Sequence, residues 1–333
     1  MTLKFFLEMT VATTLQTCRI CETKDNHASY VFEEQMIGLY NKFNYFQCNK
    51  CECLQIEEVP DDIAKYYEEG YYSFRKNPSR HFSKPVIKTV AKVLFGQAMK
   101  GRDILSSSWA PDRLLGFWTK FQAIGRANVT KNSKVIDIGS GSGSVVYAMG
   151  CIGFKNVKGL DPFIEKDIEY PIGVNIIKGD IGSHTETDYD LIMMHHSFEH
   201  MPNPHEVFEA IPKLLAPNGV CLIRIPTIST SIFEKYGKDL VELDAPRHIF
   251  LHSKKSIEYL AEQHGLKIDQ IVYDSTPFQF WGSELYQKNI SLKNAFPLSQ
   301  HFSKSDMKKF REDSVQLNKT NQGSRFCVYL SKK

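Results

Sequence analysis

The feature that most constrains this 333-residue chain is a glycine loop that directly follows a short apolar segment. The segment from Lys134 to Ile138 predicts a buried strand, and the chain continues as Gly139-Ser-Gly141-Ser-Gly143. Glycines at this spacing let the backbone approach a charged cofactor closely, with the amides of the next helix aimed at it. The loop therefore predicts an open α/β fold that binds a cofactor at the carboxyl edge of its sheet.

Short apolar runs alternate with helical patterns from Ser133 onward, which is typical of βαβ units around a parallel sheet. We predict buried parallel strands at Lys134–Ile138, Val157–Leu160, Val174–Ile177, Leu191–Met194 and Val220–Ile225, then a sixth strand at Leu266–Tyr273. The last β-prone segment is Arg325–Leu330, after an insertion at about residues 276–323. Residues 129–333 are thus predicted to form a doubly wound, Rossmann-like α/β domain.

The N-terminal region, residues 1–60, carries two cysteine pairs separated by 26 residues, Cys18-x-x-Cys21 and Cys48-x-x-Cys51. Each pair can form a tight turn that points both sulfurs inward, so the four thiolates suit a tetrahedral Zn²⁺ site. Such a site has no open position, and we predict a structural zinc in a small zinc-ribbon-like module. Substitution of one ligand by Cys53 or His27, or reduced cysteines without metal, are the alternatives.

Residues 61–128 mix aromatic and charged side chains without strand-like alternation, and we predict a helical connector there. The formal net charge of the whole chain is +3, with Lys and Arg scattered, which is not the pattern of a nucleic-acid-binding surface. The apolar Phe5-Phe6-Leu7 is too short for a signal peptide, and no segment has the length of a membrane span. We expect a soluble, cytoplasmic protein with a small-molecule or saccharide substrate.

The spacing of the glycines and the carboxylates around them distinguish between cofactors. A dinucleotide fingerprint would place glycine or alanine at Ser144, and the carboxylate of Asp137 would repel a pyrophosphate but attract the ammonium of S-adenosylmethionine. Asp161, 22 residues after Gly139, is placed to accept hydrogen bonds from ribose hydroxyls, and Asp180 from an adenine amino group. A turn or helix cap explains any single Asp equally well, but three at one sheet edge favour S-adenosylmethionine.

These segments resemble the successive motifs of class I S-adenosylmethionine-dependent methyltransferases. The matching segments are Val135 to Gly143, Gly159-Leu-Asp161-Pro162, Gly179-Asp180-Ile181 and Tyr189 to His200. The resemblance implies a seven-stranded sheet whose last strand, Arg325–Leu330, is antiparallel. The cofactor residues it implies are Asp137, Gly139, Gly141, Gly143, Asp161, Pro162, Asp180, Ile181 and His195.

A closer resemblance is carried by the cysteine module, by Tyr71-Tyr72-Ser-Phe74, and by Asp244-Ala-Pro-Arg247-His248 before a Ser-x-x-Ser helix. These features are similar to methyltransferases of bacterial sugar and surface-glycan pathways, which implies methylation of a nucleotide-linked sugar or glycan on oxygen or carbon. Two alternatives stay open. One is a quinone or phenolic O-methyltransferase with an apolar pocket and magnesium dependence. The other is a non-catalytic S-adenosylmethionine-binding protein whose zinc module binds a partner.

Methyl transfer from a sulfonium needs in-line positioning and a base that deprotonates the acceptor. Neutral imidazoles suit this task, and we predict His196, after the fourth strand, as the base, with His200 and His248 as further candidates. Glu199-His200 resembles a pair that helps hold a divalent cation in quinone O-methyltransferases, although His196 replaces the earlier acidic residue of that site.

The loop after the fifth strand contains the predicted substrate ligands Asp244 and Arg247. A guanidinium can grip a diphosphate through two parallel hydrogen bonds. A salt-bridged entry to the following helix is the alternative interpretation of both residues.

Overall fold

The computed structural model describes residues 12–67, 78–81, 85–101, 112–228 and 230–333. Thirteen strands are present in these residues: β1 (Thr13–Thr17), β2 (Lys24–Glu33), β3 (Lys42–Gln47), β4 (Leu54–Ile56), β5 (Lys134–Ile138), β6 (Asn156–Asp161), β7 (Ile168–Tyr170), β8 (Val174–Lys178), β9 (Tyr189–His195), β10 (Leu215–Pro226), β11 (Phe250–Leu251), β12 (Leu266–Tyr273) and β13 (Arg325–Lys332). The α-helices span Pro78–His81, Pro85–Met99, Asp112–Arg126, Ser144–Cys151, Pro204–Leu214, Thr230–Tyr236, Lys254–Gln263, Phe278–Gln287 and Lys304–Lys319.

The main sheet has the strand order β12-β13-β10-β9-β5-β6-β8-β7. The pairs β5–β6, β5–β9, β6–β8 and β9–β10 are parallel, whereas β13 is antiparallel to both β10 and β12. Each predicted strand is present, and the antiparallel final strand is confirmed. The carboxyl ends of the parallel strands therefore meet at one edge, where open α/β sheets bind ligands.

All seven predicted strands are present, and among the described residues the sheet contains an eighth. The additional strand is β7, three residues long, which pairs antiparallel with β8 through a turn at Gly173, whose φ is +80°. A strand this short at the edge of a sheet leaves little periodicity in the sequence, so pattern analysis misses it.

The two faces of this sheet are covered by different elements. Along β5 and β9, successive side chains point to opposite faces, so Val135 and Met193 join one core while Ile136 and Met194 join the other. The helices Pro85–Met99 and Asp112–Arg126 contribute Phe95 and Trp118 to the first core. The second core contains residues of the cysteine module together with those of the helices Pro204–Leu214 and Lys254–Gln263.

The N-terminal module forms a five-stranded antiparallel sheet in the order β1-β2-β3-β4-β11. Four strands come from the module, and β11 comes from the loop that follows β10, pairing Phe250 with Gln55 and Leu251 with Leu54. The module is therefore continuous with the loop that was predicted to bind substrate.

In the described part of residues 61–128 the elements are helical, and Tyr71-Tyr72-Ser-Phe74 lies outside the described residues. The insertion between β12 and β13 contains the helices Phe278–Gln287 and Lys304–Lys319. No helix of the described residues is long and apolar enough to cross a bilayer.

Candidate functional site

The glycine loop runs from the end of β5 into the helix Ser144–Cys151 in a conformation that requires glycine. Gly139 has a φ of +73°, and a Cβ there would lie 2.4 Å from the Cβ of Ser197. Gly143 has a φ of +78°, and its Cβ would meet Ile176 at 2.2 Å. Glycine at these two positions therefore allows a left-handed backbone and close packing against the neighbouring strands.

A carboxylate from the adjacent strand holds the loop in place. Asp161, at the end of β6, accepts hydrogen bonds from the amide of Gly141 at 2.7 Å through Oδ2 and from the amide of Phe163 at 2.9 Å through Oδ1. Ser197 donates its hydroxyl to the carbonyl of Ile138 at 2.7 Å from the other side. The loop is thus fixed between β6 and the segment after β9.

Above this loop lies a cavity of about 320 Å³, here called the cofactor cavity. Several predicted cofactor residues line it, together with others from the segments after β8 and β9: Tyr67, Ile138, Gly139, Gly141, Asp161, Pro162, Phe163, Gly179, Asp180, Ile181, Gly182, His196, Ser197, His200, Met201, Pro202, Asn203, Glu206 and Val207. The carboxylates of Asp161, Asp180 and Glu206 make this lining acidic. Such a cavity suits a ligand with a cationic group.

Three predicted cofactor residues are not part of that lining. Gly143 packs beneath the loop, while Asp137 and His195 are buried on the sheet face that contacts the helix Asp112–Arg126. Burial, together with the Asp161 carboxylate, raises the pKa of Asp137 to about 7, although Lys120 opposes this shift. Oδ1 of Asp137 has no hydrogen-bond partner among the described residues, and this orphaned acceptor is compatible with an ammonium group placed beside the loop.

A second cavity, of about 330 Å³, adjoins the first and is here called the acceptor cavity. The two cavities share His196 and His200 in their walls. The remaining lining combines charged groups with apolar side chains: Met36, Leu115, Gly116, Lys120, Arg224, Pro226, Val241, Glu242, Asp244, His248, Thr276, Pro277, Phe278, Trp281, Leu292 and Arg325. The two cavities are thus adjacent and have two imidazoles in their common wall.

His196, the predicted base, has both ring nitrogens close to polar partners. Its Nε2 accepts a hydrogen bond from Arg224 at 3.0 Å, and its Nδ1 lies 3.3 Å from Oε1 of Glu199. Burial and the nearby Arg224 guanidinium lower its pKa well below the usual value. Its φ of +55° places a non-glycine residue in the left-handed region, a strain often found at functional sites.

His200 and His248 each have one nitrogen held by a backbone carbonyl. Nδ1 of His200 lies 2.7 Å from the carbonyl of Arg247, and Nδ1 of His248 lies 2.8 Å from that of Glu242. A carbonyl only accepts, so in both rings Nδ1 is the protonated nitrogen and Nε2 is the acceptor. The two rings contact each other edge to face, with centroids 4.8 Å apart.

Arg247 occupies an intramolecular ion pair. Its guanidinium donates to Asp244 at 2.5 Å, to Glu34 of the cysteine module at 3.0 Å and to the carbonyl of Tyr66 at 2.8 Å. The side chain is 1% exposed and does not line the acceptor cavity, unlike Asp244. We therefore revise the substrate-binding role predicted for Arg247, because its donors already bind protein groups.

Glu199, which the sequence placed only in a pair resembling a divalent-cation site, is fully buried between His196 and His248. Burial, with the carboxylates of Asp244 and Glu242 nearby, raises its pKa to about 8. Phe163 was missed, although its 79% exposed ring forms part of the cofactor cavity. Its position directly after Asp161-Pro162 was the only available signal.

The four cysteines of the two pairs converge as predicted. Cys18 and Cys51 have sulfurs 3.5 Å apart, as do Cys21 and Cys48, and the four sulfur atoms lie within 4.8 Å of one another. The two turns have matching hydrogen bonds, from the amide of Glu22 to Cys18 and from that of Glu52 to Cys48, each 2.9 Å. This donor set fits a tetrahedral Zn²⁺.

The alternative zinc ligands lie elsewhere. The Cys53 thiol contacts the carbonyl of Leu251 at 3.5 Å, and the His27 ring stacks on Phe46 with centroids 5.3 Å apart. A second group of possible metal ligands consists of Glu199, His200 and His248.

Comparison with known proteins gives one family match. Residues 113–271 match the family model described as a methyltransferase domain. The ubiquinone biosynthesis O-methyltransferase of Pectobacterium carotovorum subsp. carotovorum (strain PC1) is 30% identical over 104 residues, which cover 28% of this chain and 43% of that protein. The aligned part is thus less than half the length of that curated relative.

Solved structures resemble the chain more distantly. The cyclopropane synthase MmaA2 from Mycobacterium tuberculosis has a TM-score of 0.42 at 17% identity, covering 63% of this chain and 82% of that one. A TehB-like SAM-dependent methyltransferase from Corynebacterium glutamicum has a TM-score of 0.36 at 17% identity, covering 75% of this chain and 100% of that one. At these TM-scores the likeness adds nothing to the family match.

The strand order with its antiparallel β13, the glycine loop fixed by Asp161 and the matching family model agree with one another. Residues 113–271 are therefore assigned to a methyltransferase domain, and the sheet and loop around them are those expected of the class I S-adenosylmethionine-dependent type.

Proposed function

We propose that this protein transfers a methyl group from S-adenosylmethionine to a nucleotide-linked sugar or to a saccharide. The observation that carries the proposal is the pair of adjoining cavities with His196 and His200 in their common wall. One cavity is acidic and suits a cationic cofactor, and the other combines apolar surface with charges of both signs. A methyl donor in the first and an acceptor in the second would meet at these two histidines.

Different residues around the cofactor cavity suit different parts of the cofactor. S-adenosylmethionine, when bound, supplies an electrophilic methyl group on a positively charged sulfur. The two carboxylate oxygens of Asp161 hold backbone amides at Gly141 and Phe163, and each oxygen has a second lone pair that suits a ribose hydroxyl. Asp180 similarly accepts from the amide of Ser183 through Oδ1 and retains capacity for a further donor. Oδ1 of Asp137, which has no hydrogen-bond partner among the described residues, favours the cationic end of the cofactor.

We assign the proton acceptor to His248 rather than to His196. The acceptor nitrogen of His196 already receives a hydrogen bond from a guanidinium, so taking a proton there would break that bond and place two cations together. Nε2 of His248 forms no hydrogen bond with the described residues and lies 3.8 Å from Asp244, which stabilises a protonated imidazole. His200, beside both cavities, orients the acceptor.

The lining of the acceptor cavity supports a sugar over a quinone. A quinone or phenol needs an apolar pocket, whereas this cavity exposes Lys120, Glu242, Asp244 and His248 among its apolar residues. Hydroxyl-rich ligands pair well with such mixed donors and acceptors. The aromatic rings of Phe278 and Trp281 provide flat apolar surfaces for the C–H faces of a sugar ring.

The partial identity to a ubiquinone biosynthesis O-methyltransferase favours the quinone alternative, and one assay separates the candidates. The purified chain is incubated with S-adenosylmethionine labelled in its methyl group and with nucleotide sugars, neutral saccharides or phenolics, each with and without magnesium. We expect label in the nucleotide sugars or saccharides, independent of magnesium. Label only in phenolics with magnesium would support the alternative, and cofactor binding without any transfer would support a non-catalytic protein.

A further inference from the structure

The acceptor cavity contains a lysine that forms no ion pair within 4.0 Å with any of the described residues. Lys120 lies on the helix Asp112–Arg126 and lines the cavity beside Arg224 and Arg325. With the described residues its ammonium forms neither an ion pair nor a hydrogen bond, and its contact is the ring of Phe117, 5.9 Å away. Burial, with a contribution from Arg224, lowers the pKa of Lys120 to about 8, so the group is mostly protonated at pH 7.

The two arginines that line the acceptor cavity beside Lys120 are paired, but both with the same carboxylate. Asp274, at the end of β12, accepts from Nε of Arg224 at 2.5 Å and from Nε of Arg325 at 2.9 Å. Asp137, in β5, also acts on Lys120, but burial raises the pKa of Asp137 to about 7, so it is only partly ionised near neutral pH. Three cations therefore face one engaged and one partly ionised carboxylate. Asp244 is bound to Arg247 on the opposite wall, and burial raises the pKa of Glu242 to about 7, so this carboxyl is only partly ionised near neutral pH.

A third cavity adjoins the acceptor cavity on the side away from the cofactor cavity. The acceptor cavity and this third cavity together are here called the acceptor groove. The third cavity measures about 350 Å³ and shares Leu115, Thr276 and Pro277 with the acceptor cavity. Its lining includes the basic side chains of Arg126, Arg311 and Lys319, whereas its carboxylate is again Asp274. The charge of the lining thus changes from acidic at the cofactor cavity to basic along the path leading away from it.

We propose that Lys120 binds an anionic group of the acceptor, a phosphoryl or carboxylate, in the part of the groove that continues toward Arg126. This inference rests on the proposed function and restricts it to acceptors that carry a negative charge. The bound anion supplies the counter-ion that Lys120 lacks. Such an ion pair in a partly buried groove positions the acceptor by its charged end while the reacting atom lies near His200.

Binding of small probes to the full chain tests this site without relying on turnover. Calorimetry compares inorganic pyrophosphate, glucuronate and the neutral methyl glucoside. We expect at least one anion to bind more tightly than the neutral sugar, with an affinity that falls as salt rises. Lys120→Met should weaken that binding about tenfold or more, while Lys120→Arg should retain it. The exposed Lys254 provides the matched control, Lys254→Met, which should change nothing.

A second measurement avoids the need for a folded variant. In reductive methylation followed by mass spectrometry, pyrophosphate should slow the modification of Lys120 but not of Lys254. Tighter binding of pyrophosphate would indicate a phosphoryl acceptor, and tighter binding of glucuronate a carboxylate. Equal affinity for all three probes, or no protection of Lys120, would overturn the inference. Methylation of a neutral saccharide in the transfer assay would then leave the proposed function standing without the anion site.

Discussion

Asp161 illustrates how one side chain combines a structural and a binding role. Its two carboxylate oxygens fix the backbone at Gly141 and Phe163, which shapes the glycine loop, and the same oxygens face the cofactor cavity. Burial raises the pKa of Asp161, while the backbone amides of Phe163 and Gly141 oppose that shift. The residue is thus held in a position where it can accept further donors.

We predict that Asp161→Ala weakens S-adenosylmethionine binding by about 1–3 kcal/mol, because hydrogen bonds to the ribose and the support of the loop are both lost. Calorimetry measures the affinity directly. Asp190→Ala, a change in an exposed carboxylate at the opposite end of the sheet, serves as the control. Unchanged affinity in Asp161→Ala, or tight binding of NAD by the wild-type chain, would contradict the assignment.

Single substitutions also test which histidine acts as the general base. We expect His248→Ala to lower turnover by about 10²–10⁴-fold, the usual contribution of a general base, with cofactor affinity nearly unchanged. His196→Ala should have a smaller effect on turnover, because its acceptor nitrogen is already bound to Arg224. Steady-state kinetics on both variants separates kcat from KM. The reverse order of effects would return the role to His196.

A pH profile gives an independent test of this base. Burial lowers the pKa of His248 below its usual 6.5, although Asp244 opposes the shift. A base acts in its neutral form, so turnover should stay constant as pH falls through 6.5 and decline only at lower pH. A decline centred above pH 6.5 in the wild-type chain would exclude His248 as the titrating group.

At the scale of elements, the loop after β10 is held by the cysteine module. Arg247 of this loop pairs with Glu34 after β2, and Tyr45 of β3 donates its hydroxyl to the carbonyl of His248 at 2.9 Å. Glu34 additionally accepts hydrogen bonds from the amides of Ile37, Gly38 and Leu39. The position of a candidate catalytic loop therefore depends on a neighbouring small sheet.

Glu34 and Arg247 are both fully buried, and Glu34→Gln removes one of the two carboxylates that pair with Arg247, since Asp244 stays bound to it. We predict that Glu34→Gln lowers the free energy of unfolding by about 1.5–3 kcal/mol, the usual contribution of a hydrogen bond to a charged group. Urea denaturation followed by circular dichroism measures the change. The neighbouring Glu33 pairs with Lys42 at the surface, so Glu33→Gln should change stability by less than about 0.5 kcal/mol. Equal midpoints for the two variants would contradict the prediction.

The whole molecule is joined by β11, which belongs to the sheet of the module although it follows β10 in the chain. Ser253, which caps the helix Lys254–Gln263 through a mutual bond with Ser256, also donates its hydroxyl to the carbonyl of Cys51. The cysteine turns thus contact the start of a helix of the methyltransferase domain. Metal binding in the module should consequently influence the stability of both parts.

We predict one zinc ion per chain in protein purified without added metal, measured by elemental analysis. Cys48→Ser should lower the melting temperature by about 5 °C or more, whereas Cys151→Ser, a change outside the cluster, should have little effect. Removal of zinc with a chelator should reduce methyl transfer more than cofactor binding, because the module supports the loop of His248. Metal-free protein with full stability would disprove the zinc site.

The sequence by itself determined the elements whose signal is local. Strands β5 to β13 of the main sheet appear as apolar runs, except for the short β7, and the glycine loop marks the cofactor edge. The carboxylates at strand ends and the convergence of the four cysteines follow from spacing, because parallel strands and paired turns bring such residues together. These inferences needed no knowledge of long-range contacts.

Only the tertiary structure decided which polar groups are free. Arg247 is paired with Glu34, 213 residues away, and the acceptor nitrogen of His196 is occupied by Arg224, 28 residues away. A guanidinium or imidazole has the same sequence signature whether it faces a ligand or a buried partner. The cysteine module packs against the loop after β10, and its Glu34 pairs with Arg247. Lys120 has no ion-pair partner among the described residues and faces the acceptor groove. The chemistry of the acceptor side therefore depends on contacts between segments far apart in the chain, which residue spacing does not encode.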